Sequence, residues 1–134
     1  MLYLNNMILA ITGSRNYHDY KALEIILESL APNATAIITG GAKGADELAA
    51  QYAEAKGLEL ITIRPDYKKH YSKVAPLIRN TEIVERADQV IAFYYEKQSG
   101  GTLDTARKAR SAGKLLAEVL NGEVIQSNQQ LRLL

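Results

Sequence analysis

The sequence contains no cysteine, three prolines, two histidines and only 7% aromatic residues, and its 16 Lys and Arg are nearly balanced by 15 Asp and Glu, for a formal net charge of +1. Each scarcity removes a class of protein. Without thiols there is no disulfide scaffold, no Cys-based zinc site, no iron–sulfur cluster and no thiol chemistry. Near-neutral charge and few aromatics argue against a surface built throughout for nucleic acid, although a local basic face is compatible with both. The longest apolar run, Met7 to Ile11, falls far short of the ~20 residues of a membrane span, and no basic segment precedes a long apolar stretch. His18 and His70 stand well apart in polar sequence, so no histidine and carboxylate cluster occurs at metal-ligand spacing. The expectation is a soluble, cytoplasmic protein with no metal, no cofactor and no membrane contact.

What is present is a patterned chain of 134 residues, 47% of them hydrophobic, long enough to bury roughly two thirds of the surface it exposes when unfolded. We expect one domain over residues 1–134 with its core in 7–119. Short apolar runs of β type alternate with longer stretches of helical spacing, the pattern of an α/β domain with a parallel sheet. The strands are expected at Met7 to Thr12, Thr35 to Thr39, Leu58 to Ile63, Gln89 to Phe93 and Leu115 to Leu120, each apolar enough to be covered on both faces.

Four helices fit between them. Asp19 caps the first, which buries Leu23, Ile26, Leu27 and Leu30 ahead of Pro32. The second carries Ala45, Leu48, Ala49, Tyr52 and Ala53 on one stripe and stops at Gly57. The third lies between Ser72 and Arg86, with Pro76 in its first turn, and the fourth runs from Thr102 to Gly113. Asn121-Gly122 then signals a hairpin into a short antiparallel edge strand, Glu123 to Gln126. Leu131, Leu133 and Leu134 are left to pack on a helix or on a second subunit in a homo-oligomer, or to fray. Right-handed crossovers on both faces give a Rossmann-like, three-layer, doubly wound sheet of five parallel strands in the order 3-2-1-4-5.

In such sheets ligands bind beyond the carboxyl ends of the strands. Three turns there are rich in glycine: Gly13-Ser14-Arg15, then Gly40-Gly41-Ala42-Lys43-Gly44-Ala45-Asp46, then Ser99-Gly100-Gly101-Thr102. Glycine permits close backbone approach, and each turn feeds a helix whose free N–H groups attract an anion, so together they describe a phosphate-binding rim. Glycine is equally the default for any tight strand-to-helix connection. Neither Walker A nor the dinucleotide fingerprint fits, because Gly40 to Gly44 lacks the Gly-Lys-Ser/Thr ending and no ribose-binding carboxylate ends strand two. Arg15, within a glycine turn, and Arg79, beside Asn80, are candidates for bidentate contact to phosphate. Asp46 and Asp104, each near a helix start, either complement helix dipoles or act as catalytic carboxylates.

Gly13-Ser14-Arg15-x-Tyr17-x-Asp19, Thr39 to Asp46, Ile78-Arg79-Asn80, Ala87-Asp88-x-Val90-Ile91-Ala92-Phe93 and Ser99-Gly-Gly-Thr102 together resemble the YspA-like branch of the SLOG superfamily. The likeness spans residues 7 to about 119. It implies a Rossmann-like sheet and a pocket for a nucleotide or nucleotide-derived ligand. The Lonely Guy phosphoribohydrolases of that superfamily are similar in the spacing of Arg79 to Asp88 and in the glycine loop opening the fourth helix. They carry a catalytic Glu three residues after the loop Thr, where this sequence has Thr105.

Three functions follow as expectations. The first is a nucleotide-binding protein or sensor using Gly13, Ser14, Arg15, Gly40, Gly41, Ala42, Lys43, Gly44, Asp46, Arg79, Asn80, Ser99, Gly100, Gly101 and Thr102. The second is an N-glycosidic hydrolase of nucleotides, with Asp104 or Asp46 steadying a developing oxocarbenium charge. The third, disfavoured by composition, is a single-stranded DNA module using Lys68, Lys69 and Lys73, by analogy with the DNA-processing protein A group.

Overall fold

The structure, a computed structural model, describes residues 6–98 and 100–128. Six strands and four helices follow in the order β1 (Ile8–Gly13), α1 (Tyr20–Leu30), β2 (Ala36–Thr39), α2 (Ala45–Lys56), β3 (Glu59–Thr62), α3 (Ala75–Arg86), β4 (Gln89–Tyr94), α4 (Gly100–Ser111), β5 (Leu115–Leu120) and β6 (Glu123–Ser127). The sheet runs β3-β2-β1-β4-β5-β6. All neighbours are parallel except β5 and β6, which form an antiparallel hairpin at the edge. This is the expected three-layer, doubly wound fold.

Alternation along β1 explains the layers. Leu9 and Ile11 point into a core shared with Leu23 and Leu27 of α1 and Ala49 and Ala53 of α2. Ala10 points the other way, towards Ile83 and Val84 of α3 and Ala106 and Ala109 of α4. Period-two side chains on a strand covered by helices on both faces permit no polar interruption, and β1 has none before its last two residues. The helices start and stop for local reasons. Asp19 Oδ1 accepts the Ala22 N–H at 3.1 Å to cap α1. Gly57 ends α2 in the left-handed conformation, with φ 69°. Asn121 and Gly122, at φ 51° and 86°, supply the two left-handed residues that a tight hairpin needs.

Two expectations need correction. β3 is not covered on both faces: Glu59, Leu60 and Thr62 are exposed, because the strand forms the outer edge of the sheet and only β2 flanks it. α4 begins at Gly100 rather than Thr102. Asp88, part of the spacing shared with the phosphoribohydrolases, sits at the start of β4, where its Oδ2 accepts the Ile8 N–H at 2.8 Å. It joins the amino ends of β1 and β4, opposite the end where a ligand is expected. Ser99, Leu131, Leu133 and Leu134 lie outside the described residues.

The loops after β1 and β2 touch directly, and this contact fixes the floor of the site. Ala45 N–H donates to Ser14 O at 3.1 Å. Gly44, at φ 78°, lies so close that a Cβ would collide with the backbone carbonyls of Ser14 and Arg15. Gly57 also has positive φ, but a Cβ there meets nothing within 4 Å. Gly44→Ala should therefore lower the unfolding free energy by about 2–4 kcal/mol and Gly57→Ala by only about 1 kcal/mol. Urea denaturation of the two variants checks this, and equal losses would show that the loop contact is yielding.

Candidate functional site

The centre of the strand-end surface is a buried carboxylate. Asp46, in the first turn of α2, is 6% exposed, and its Oδ2 accepts the N–H groups of Gly40 at 3.0 Å and Ala42 at 3.1 Å. Arg79 reaches across from α3: its Nη1 donates to Gly40 O at 2.8 Å and its Nε to Asn80 Oδ1 at 2.9 Å. The absent side chain of Gly40 makes room for that guanidinium, since a Cβ would stand 2.5 Å from Nη1. Arg64 Nη1 likewise donates to Gly41 O at 2.8 Å. Asn80, itself buried, passes the connection on through Nδ2 to Asp104 Oδ2 at 3.1 Å in α4.

Burial pushes the Asp46 carboxyl up to about 6, against the opposing pull of the Ala42 N–H, the Arg79 charge and the Gly40 N–H. Burial lowers Arg79, and the neighbouring Asp46 charge works to raise it. The ionised carboxylate is thus held at a cost in desolvation and is steadied by two backbone donors and one cation.

Over this centre opens a cavity of about 470 Å³, lined by Thr12 and Gly13 to Asn16 from the end of β1, by Ala42 and Asp46, by Pro76, Arg79 and Asn80 of α3, by Tyr94, Tyr95 and Lys97 after β4, and by Gly100 to Thr102 of α4. Of the residues singled out in the sequence, it gathers Gly13, Ser14, Arg15, Ala42, Asp46, Arg79, Asn80, Gly100, Gly101 and Thr102. Arg15 and Lys97 are exposed at its mouth, and neither has an ion pair among the described residues. The first N–H groups of α4 have no intrahelical acceptor, so the cavity meets both a positive helix end and two cations.

Other expected residues stand elsewhere. Gly40, Gly41, Lys43 and Gly44 do not line the cavity. Four of the loop's N–H groups are turned inward, from Gly40 and Ala42 to Asp46, from Gly41 to Thr39 Oγ1 at 3.3 Å and from Gly44 to Glu47 Oε1 at 3.2 Å. A phosphate cradle of free N–H groups is therefore not what this loop forms; it is a closed turn clamped by two arginines. Asp104 is also absent from the cavity wall, held instead by Asn80 and by Lys108 Nζ at 2.9 Å. Thr105, at the position of the phosphoribohydrolase glutamate, is fully buried, and its Oγ1 donates to Gly101 O at 3.1 Å. Sequence reasoning missed Thr12, Asn16, Pro76, Tyr94, Tyr95 and Lys97. The rule that found the glycine turns would have found the last two, which directly follow β4.

Among the described residues no group of three His, Asp or Glu is arranged to hold a metal ion, and no helix is long and apolar enough to cross a membrane.

The family described as YspA, cpYpsA-related SLOG matches residues 7–70. The Gene 61 protein of Mycobacterium phage D29 is 29% identical over 110 residues, which cover 77% of this chain and 88% of that protein. The solved structure of DNA processing protein A (DprA) from Streptococcus pneumoniae aligns with a TM-score of 0.65 at 20% identity, over 83% of this chain and 50% of that one. This chain thus spans half the length of DprA. The structural-genomics target TM1055 aligns with a TM-score of 0.59 at 20% identity, over 83% of this chain and 73% of its own. Likeness at this identity speaks to the fold.

The raised Asp46 carboxyl has a measurable consequence. Between the usual value of 3.8 and about 6 the folded chain keeps a proton that the unfolded chain has released. The Asp46 contribution is therefore fully present below the unfolded value and is lost as pH rises through the folded one. Relative to Asp46→Asn, the wild type should lose about 3 kcal/mol of unfolding free energy between about pH 3.5 and pH 7, as read by urea denaturation. Parallel pH curves for the two proteins would contradict the assignment.

Proposed function

We propose, from the match of residues 7–70 to the family described as YspA, cpYpsA-related SLOG, that the protein binds a nucleotide or nucleotide-derived ligand, as a sensor or binding protein, with the phosphate over the β1–α1 loop and the start of α4. One observation carries this reading: the cavity brings Arg15, Lys97 and the amino end of α4 to one mouth, with no protein anion among its described lining residues except the buried Asp46. Cations and helix N-termini both favour a phosphate there. Arg79 supports the site indirectly, since its Nη1 and Nε are engaged with Gly40 and Asn80.

A second reading, hydrolysis of the N-glycosidic bond, is favoured by Asp46 alone. Its Oδ2 takes both loop N–H groups, Oδ1 has no hydrogen-bond partner among the described residues, and its carboxyl is raised to about 6. Such a group can exchange a proton near neutral pH. DprA is named as a DNA processing protein, and a single-stranded oligonucleotide belongs in the same experiment.

Arg15 is the discriminating residue, because it lines the cavity and its side chain has no hydrogen bond or ion pair among the described residues. Calorimetry with AMP and ADP-ribose should show binding that Arg15→Ala weakens by about 1.5–3 kcal/mol, the range for a charged hydrogen bond, with melting temperature unchanged. Unchanged affinity, or tight binding of the oligonucleotide with none of either nucleotide, would refute the small-ligand reading. Release of free base that disappears in Asp46→Asn would make the protein an enzyme.

A further inference from the structure

The chain leaves β4 through a strained turn. Glu96 holds a left-handed φ of 67°, and the Lys97 N–H donates back to Tyr95 O at 2.8 Å. This is the rarer form of the three-residue γ-turn, with a positive φ at its centre that is costly for any residue but glycine. Hydrogen bonds to the neighbouring strands hold it in place. Glu96 N–H donates to Asn121 Oδ1 at 2.8 Å, Asn121 N–H to Tyr94 O at 3.1 Å, and Gln98 Nε2 to Glu118 Oε2 at 3.1 Å. Asn121 belongs to the β5–β6 hairpin, so the far edge of the sheet sets the shape of the turn. Backbone strain enforced in this way clusters at ligand clamps and active sites.

What the turn presents is an aromatic ring beside a cation. Tyr95 and Lys97 pair across an isolated antiparallel bridge, which carries their side chains to one side, and both line the cavity of about 470 Å³ that contains Arg15. Glu96, between them, lines instead a neighbouring cleft of about 400 Å³ with His18 and Asp19. The turn thus brings the ammonium to the cavity and keeps the carboxylate out of its wall. Of the two aromatic residues in that wall, Tyr94 is 1% exposed and gives its hydroxyl to Glu118 at 2.7 Å, whereas Tyr95 is 37% exposed. The His18 ring meets Tyr95 at a tilt of 43° with centroids 6.0 Å apart, and His18 is itself fixed by Nδ1, 2.7 Å from Asn16 O. The Tyr95 ring is therefore braced by its neighbour and still open to a ligand.

We propose that Tyr95 recognises the base of the ligand by stacking, and that Asn121 is the positioning residue that keeps it in place through the Glu96 N–H. The proposal rests on the nucleotide reading of the cavity and names what that site selects: a phosphate ester that carries an aromatic base, over one that carries a sugar alone. Stacking is blind to the pattern of amine and carbonyl groups on a base edge, because every base has a π-face, so the selection is for a base rather than for one base.

Calorimetry with AMP and ribose 5-phosphate on the wild type, Tyr95→Phe, Tyr95→Ala, Asn121→Gly and Arg15→Ala tests this. AMP should bind the wild type about tenfold or more tightly than ribose 5-phosphate, the scale of one base stacked on one ring. Tyr95→Phe should keep that preference, and Tyr95→Ala should abolish it while leaving ribose 5-phosphate binding as it was. Asn121→Gly retains a residue suited to the left-handed hairpin position and deletes the contact to Glu96. It should reduce the preference with ribose 5-phosphate binding unchanged, whereas a general loosening of the fold would weaken both ligands alike and would overturn the positioning role. Equal wild-type affinities for the two ligands, both weakened by Arg15→Ala, would overturn the base wall and leave the phosphate site standing. A preference for AMP that survives Tyr95→Ala would overturn the assignment of this residue. Failure of both ligands to bind would overturn the proposal and the nucleotide reading together.

Discussion

The strand-end surface takes its shape from one buried carboxylate. Asp46 gathers the Gly40 and Ala42 N–H groups, which closes the β2–α2 loop on itself and turns the Gly40 carbonyl towards Arg79. That arginine is on α3, and its neighbour Asn80 bonds to Asp104 on α4. A chain of short polar contacts thus ties three helix ends together across the open edge of the sheet. The cost of desolvating Asp46 is only partly offset by these donors and the Arg79 charge, which is why its carboxyl stays raised.

A second buried carboxylate braces the far wall. Glu118 of β5 is 1% exposed and accepts from Tyr94 Oη at 2.7 Å, Gln98 Nε2 at 3.1 Å and Arg110 Nη2 at 2.5 Å. Tyr94 lines the cavity, and Gln98 leads into the turn before α4. Asp46 thus holds the Gly40–Ala42 turn, and Glu118 holds Tyr94 of the cavity wall. What remains open is the exposed Arg15 of the β1–α1 loop, whose neighbours Ser14 and Asn16 donate their N–H groups to Phe93 O and Ser14 Oγ, and the amino end of α4.

The sheet order, the edge hairpin and most element limits were legible because apolar periodicity and turn chemistry are local signals. β3 was not, because the run Leu58 to Ile63 is apolar whether or not a helix covers it, and its edge position depends on the whole topology. The glycine loops were half legible. A glycine announces close approach without saying to what: at Gly40 the approaching group is Arg79, 39 residues away in sequence, rather than a ligand. Asp104 lay one helical step from the expected catalytic position, and only the structure shows it engaged by Asn80 and Lys108. That the buried Tyr17 hydroxyl has no hydrogen-bond partner among the described residues leaves no trace in sequence, since pairing is a property of the packed core.

The most direct test of this division of labour is the amide spectrum of the isotopically labelled protein titrated with AMP. A ligand held by the open segments should move the N–H resonances of Arg15 and of Gly100 to Thr102, while those of Gly40, Ala42 and Gly44, already donated within the protein, stay in place. Shifts concentrated in Gly40 to Gly44, with the β1–α1 loop and the start of α4 unmoved, would contradict the account.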